Sequence, residues 1–159
     1  MTTKIKLFLT DVDGVMTDAG MYYTESGDEF KKFNTHDGMA FNLLREAGIK
    51  TGMITTETTT IVERRAKKLK VDYLYQGAGF TGKLQAASEI CEKENISLME
   101  VAYIGDDINC IELLQAVGLA ACPSNSTFKV KAIKGIIHLK KSGGDGAIRE
   151  FVDEYILNE

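Results

Sequence analysis

The chain has 159 residues, 44% of them hydrophobic and 26% charged, with a formal net charge of −4. That is the length of one ordinary domain with a real core, so residues 1–159 are read as a single unit. The acidic balance excludes nucleic acid as a partner, because no basic field is present to collect phosphates. No apolar run approaches the roughly 18 residues of a membrane span, so no membrane contact is expected either. Met1-Thr2-Thr3-Lys4 leads straight into a strand rather than forming a signal peptide. The three cysteines, Cys91, Cys110 and Cys122, have no CxxC spacing. They read as reduced, buried or semi-buried thiols of a cytoplasmic protein, with no zinc site.

The first element is the apolar run at Leu7-Phe8-Leu9-Thr10, the pattern of a buried strand, ending in Asp11-Val12-Asp13-Gly14-Val15. Residues 16–34 then read as a β-hairpin. Aromatic arms at 20–24 and 29–33 flank the turn Glu25-Ser26-Gly27-Asp28. The hairpin is too small for a core of its own, so its aromatic residues need cover from the same domain or from another subunit. Asp37 is placed as N-cap of a helix running to Ala47, with Gly48 closing it. Strands follow at 50–54 and 71–75, and helices at 59–69 and 82–94. Ser97-Leu98-Met99-Glu100 has the form of a capping box. A fourth strand at 101–105 runs into Asp106-Asp107-Ile108-Asn109. A helix over 108–117, a strand at 118–121, a helical turn at 126–132 and a strand at 135–139 come next. Ser142 to Gly146 reads as a flexible loop, and an amphipathic helix to Leu157 closes the chain. Alternating strands and helices predict an α/β fold, a doubly wound, Rossmann-like parallel sheet covered on both faces.

In such a sheet ligands bind outside the carboxyl ends of the strands, where Asp11, Asp13, Asp106 and Asp107 would stand. Crowded carboxylates invite a hard cation such as Mg²⁺, or divide labour as nucleophile and acid/base; otherwise they cap turns. Thr55, at the end of the second strand, is placed either to bind a phosphate oxygen or to cap the following helix. Gly77-Ala78-Gly79-Phe80-Thr81-Gly82-Lys83 satisfies G-x-G-x-x-G and most of a P-loop. It follows the third strand rather than the first, and Leu84 replaces the hydroxyl that would bind Mg²⁺, so a nucleotide site is set aside. Lys83 keeps its interest as a cation at a helix start. His138, in an apolar strand, is read as a core residue.

Asp11-Val12-Asp13-Gly14-Val15, Thr55, Lys83 and Gly105-Asp106-Asp107 occur in order at successive strand ends. The set resembles the haloacid dehalogenase superfamily of phosphohydrolases. The missing cap domain, the hairpin and Gly143-Gly144-x-Gly146 are similar to the branch of 3-deoxy-octulosonate 8-phosphate phosphatases and their nonulosonate 9-phosphate relatives. The resemblance implies a homotetramer whose hairpins meet centrally and whose neighbouring subunits close the active site. It implies Asp11 as nucleophile and Asp13 as acid/base. Mg²⁺ would be held by Asp11, the Asp13 carbonyl and Asp106, with Asp107 and Asn109 beside that shell. Thr55 and Lys83 would bind the phosphate, and Thr56, Glu57 and Lys68 the sugar.

Three positions depart from the octulosonate pattern. Thr56-Glu57 stands in place of Gly-Arg, which tilts the reading toward a nine-carbon keto acid, with Glu57 accepting hydroxyls or pairing with Lys68. His36 replaces an arginine, and Cys110 replaces an aspartate, removing part of the support around the metal. The expected activity is Mg²⁺-dependent hydrolysis of a sugar-acid phosphate. The rivals are a phosphatase of another small metabolite, a phosphorylation-operated receiver, and a silent oligomerisation domain of a sugar-acid synthetase system. A receiver would need its acceptor acid after the third strand, where Gln76-Gly77 stands.

Overall fold

Leu7–Thr10 forms the central strand β1 of a parallel sheet, and all four of its side chains are buried. The computed structural model describes residues 4–158. Met1, Thr2 and Thr3, read as leading straight into β1, lie outside the described residues. Beyond β1 the sheet contains β4 (Lys50–Ile54), β5 (Tyr73–Tyr75), β6 (Val101–Ile104), β7 (Leu119–Cys122) and β8 (Ile137–His138), in the order β5-β4-β1-β6-β7-β8. β2 (Tyr22–Tyr23) and β3 (Glu29–Phe30) form the hairpin, with Tyr22 opposite Phe30. The chain builds outward from β1 to β5, then crosses to β6 on the other side. The crevice where the order reverses therefore opens at the carboxyl end of β1.

The two-residue period of β1 divides the core. Phe8 packs with Phe41 of α1 (Thr35–Glu46), Val62 of α2 (Thr60–Leu69) and Phe151 of α6 (Ala147–Phe151). Leu7 and Leu9 point the other way, to Ile90 of α3 (Lys83–Glu94), Leu113 of α4 (Ile111–Ala116) and Val130 of α5 (Phe128–Lys131). Asp11 continues the odd-numbered line and so leans toward the α3 and α4 face. The doubly wound α/β fold is as expected, and no domain is inserted among the described residues.

Several local expectations need correction. Asn34, not Asp37, caps α1, its side chain accepting from the backbone N–H groups of His36 and Asp37. An Asn at that position frees Asp37 for another task. Asp37 is buried and accepts from the backbone N–H of Arg149, which joins the start of α1 to the start of α6. Burial outweighs this bond and those from Gly146 and Ile148, and pushes the Asp37 carboxyl above its usual range. His138 is exposed because β8 is a two-residue edge strand and not a core element. The third strand starts at Tyr73, and the helix expected over 108–117 opens as a 3₁₀ turn at Ile108–Cys110. The loop at 142–146 is fastened rather than free: Gly144 N–H donates to the Val15 carbonyl, and Gly143 N–H to Asn125 Oδ1. Gly143 and Gly144 are buried against residues 14–18, where any Cβ would overlap backbone atoms, so glycine is required there.

Candidate active site

Three adjacent strands, β4, β1 and β6, end at one level. Thr10 pairs with Met53 and with Ile104, so Asp11, Thr55 and Asp106 emerge together at the crevice. Asp11 is nearly buried. Its Oδ1 accepts from Val12 N–H at 2.8 Å, and its Oδ2 lies 2.7 Å from Lys83 Nζ. The Cys110 thiol donates to the same oxygen at 3.1 Å. Lys83, the first residue of α3, is 1% exposed, which demands an anionic partner for its ammonium. Burial, the largest single influence, depresses its pKa, but the charges and hydrogen bonds of Asp11 and Cys110 together outweigh it and the net shift is upward. The glycine-rich run before it thus delivers a cation to Asp11.

Asp106 stands beside Asp11 and Cys110, close enough for one oxygen or sulfur of each to share an ion. Burial, then the charges of Asp11 and Asp107, push the Asp106 carboxyl up to about 8. Hard oxygen donors, repelling one another in a half-closed crevice, fit a divalent cation such as Mg²⁺. Gly14, at φ +86°, lets the loop pass Asp106, since a Cβ there would overlap Asp106 Oδ2. Burial and Asp11 also push the Cys110 thiol up to about 12, so it is a neutral donor to Asp11 where a carboxylate would have repelled it.

Asp13 points to the hairpin side. Its Oδ1 accepts from Lys31 Nζ at 2.7 Å, and its side chain is 38% exposed. Thr55 is buried, with its N–H bonded to the Tyr75 carbonyl. Asp107 Oδ1 accepts from Ile108 N–H, which makes it the cap of the 3₁₀ turn next to Asp106. Asn109 Nδ2 donates to Thr56 Oγ1 at 2.9 Å and joins the rims after β4 and β6. Among the described residues of this one chain, Glu57 is not paired with Lys68. Its partner is Lys31, at 3.8 Å, because Lys68 is exposed in the last turn of α2, at the end of that helix away from the crevice. His36 is exposed in the first turn of α1. Sequence reading passed over Lys31 and Asn125. Asn125 Nδ2 donates to the Gly14 carbonyl while its Oδ1 holds Gly143, and no motif marks either residue.

The residues from 55 to 150 match the model for haloacid dehalogenase-like hydrolases. The chain belongs to that family. It is a phosphoric monoester hydrolase, 34% identical over 154 residues to the 3-deoxy-D-manno-octulosonate 8-phosphate phosphatase KdsC of Salmonella typhi, covering 96% of this chain and 80% of that protein. The Escherichia coli K12 protein of that name is 33% identical over 153 residues, with the same coverage. Among solved structures, the Moraxella catarrhalis phosphatase of that name, in complex with magnesium, phosphate and KDO, has a TM-score of 0.89 and 34% identity, covering 95% of this chain and 85% of that one. A Legionella pneumophila hydrolase assigned to the superfamily reaches 0.90 at 35% identity, covering 96% and 82%. The family uses Mg²⁺.

The Asp106 shift has a consequence for stability. Without metal, the folded state keeps a proton that the unfolded chain has lost, from the ordinary 3.8 up to about 8. Raising the pH through that window therefore favours unfolding. In chelator, the melting temperature is expected to fall between about pH 5 and 8. Saturating Mg²⁺ should remove the Asp106 share of the fall by holding the ionised carboxylate, leaving only that of the raised Asp37 carboxyl. Thermal melts at both pH values, with Mg²⁺ and with chelator, read this directly. A pH-independent melt in chelator would contradict it.

Proposed function

We propose that the chain is a Mg²⁺-dependent phosphatase of a 3-deoxy-2-keto sugar acid phosphate, an octulosonate 8-phosphate or a nonulosonate 9-phosphate, acting through Asp11. The observation that carries this is the Asp11 carboxylate at the crevice floor, gripped by Val12 N–H and Lys83 beside the acid pair Asp106-Asp107. An Asp11 oxygen attacks phosphorus, and the bond from phosphorus to the sugar oxygen breaks. Asp13 gives its proton to the departing alkoxide. Asp13 then takes a proton from the water that attacks the aspartyl-phosphate, the bond from Asp11 to phosphorus breaks, and phosphate leaves. Lys83 and Thr55 steady the non-bridging oxygens. Asp11, the Asp13 carbonyl and Asp106 would hold Mg²⁺, with Asp107 and Asn109 alongside. When bound, that ion neutralises charge on the phosphoryl group, the main demand of this reaction.

Thr56 and Glu57 at the mouth supply oxygen acceptors rather than an arginine, which favours sugar hydroxyls and the nine-carbon acid. Exposed Met21, Tyr23 and Phe30 on the hairpin support contact with further copies, in a homotetramer whose neighbours cover the mouth. Among the described residues no helix is long and apolar enough to cross a membrane. Three unpaired, buried cysteines agree with a reducing, cytoplasmic setting.

The test is phosphate release with Mg²⁺ from octulosonate 8-phosphate, nonulosonate 9-phosphates with and without an N-acetyl group, and hexose phosphates. A preference of about a hundredfold for one keto acid, roughly 2.7 kcal/mol, is expected. Uniformly slow turnover would keep the chemistry and reject the sugar-acid substrate.

A further inference from the structure

Lys31 follows β3 directly, on a hairpin whose other large side chains are largely exposed, yet its own side chain is 3% exposed. Its ammonium lies 2.7 Å from Asp13 Oδ1, 3.3 Å from Glu29 Oε1 and 3.8 Å from Glu57 Oε2. Burying a lysine among three carboxylates on a two-stranded ribbon is costly unless the ion pairs need to be there. The neighbouring Lys32 points to the opposite side and donates to the Gly144 carbonyl at 3.1 Å. Consecutive lysines thus pin the hairpin to two walls of the crevice. Among the described residues, Lys31 is the one hydrogen-bond partner of the Asp13 carboxylate. Asp13 lies beyond the end of β1 and its side chain is partly exposed, so among the described residues no second hydrogen bond orients its carboxylate.

We propose that Lys31 is a positioning residue for phosphoryl transfer, orienting the Asp13 carboxyl toward the leaving oxygen and making that orientation depend on how the hairpin is seated. The inference rests on the phosphatase reading with Asp13 as acid/base. Hairpin packing against other copies then reaches the chemistry through one side chain.

The experiment compares Lys31→Met and Lys31→Arg with wild type, all as full chains with Mg²⁺, on two esters. One is the keto acid phosphate, whose alkoxide needs a proton to leave. The other is p-nitrophenyl phosphate, whose phenolate leaves without one. Under enzyme excess, Lys31→Met should cleave the alkyl ester on the order of 10² more slowly while first-turnover release of p-nitrophenolate stays within about threefold. Lys31→Arg, which keeps charge and donors, should recover most of the loss. The ratio of the two rates is independent of the fraction folded, so partial unfolding does not imitate the result. Equal loss on both esters would overturn the proposal in favour of a phosphate-binding or purely structural lysine, and no loss on the alkyl ester would overturn it outright. A wild type inert toward both would instead overturn the phosphatase reading and the inference with it.

Discussion

Asp11→Asn should lose phosphate release on the order of 10⁴-fold or more, about 5 kcal/mol of transition-state stabilisation, with the fold intact. The carboxamide keeps the oxygen that accepts from Val12 N–H at 2.8 Å. It removes the charged oxygen that Lys83 holds at 2.7 Å, and with it the nucleophile. Asp106 lies next to the same point and takes over part of the compensation of the Lys83 charge, which limits the structural cost. The measurement is steady-state turnover together with a thermal melt. A variant with near wild-type activity would refute Asp11 as nucleophile, and one that is unfolded would show the residue to be structural first.

Lys83→Met is expected to differ, because it harms both stability and rate. Lys83 is 1% exposed and is the cation bonded to Asp11 among Asp11, Asp106 and Asp107. Truncating one partner of a buried pair leaves the other charge uncompensated, at a cost of about 3 kcal/mol, or roughly 6–12 °C in melting temperature for a chain of this size. Mg²⁺ should restore part of that loss by supplying positive charge to the same carboxylates, while turnover stays depressed on the order of 10³-fold for want of a group on the phosphate oxygens. Melting with and without Mg²⁺ distinguishes this from a cavity effect, which the cation would not relieve. A Lys83→Met protein as stable as wild type in chelator would contradict the electrostatic account.

These effects follow from positions that differ in how far the residue string exposes them. β1 shows itself because Leu7-Phe8-Leu9-Thr10 is apolar on both faces, as only a central parallel strand is, and its sudden end in Asp11-Val12-Asp13-Gly14 marks the crevice. Thr55, Lys83 and Asp106 are legible for the same reason, each standing where an apolar run stops or a helix begins. Asp37 is not legible in this way, because a cap and a buried acid look alike in one dimension. Only the approach of α6 shows which of them it is. His138 escapes sequence reading because residues 135–139 have the apolar look of a whole strand, whereas edge position and length depend on what pairs beside it.

Alternation of strands with helices and the ends of apolar runs are local in the chain. The α/β class and the residues at the strand ends were therefore determined by the sequence itself, whereas the strand order was decided by the tertiary structure. So were the partners of the strand-end residues. Lys31 meets Asp13 across 18 residues, Cys110 meets Asp11 across 99, and Lys32 meets Gly144 across 112. No periodicity records contacts at such separations. They exist because burial of the two cores brings the loops together, and a buried ammonium or carboxylate must then find the opposite charge within reach.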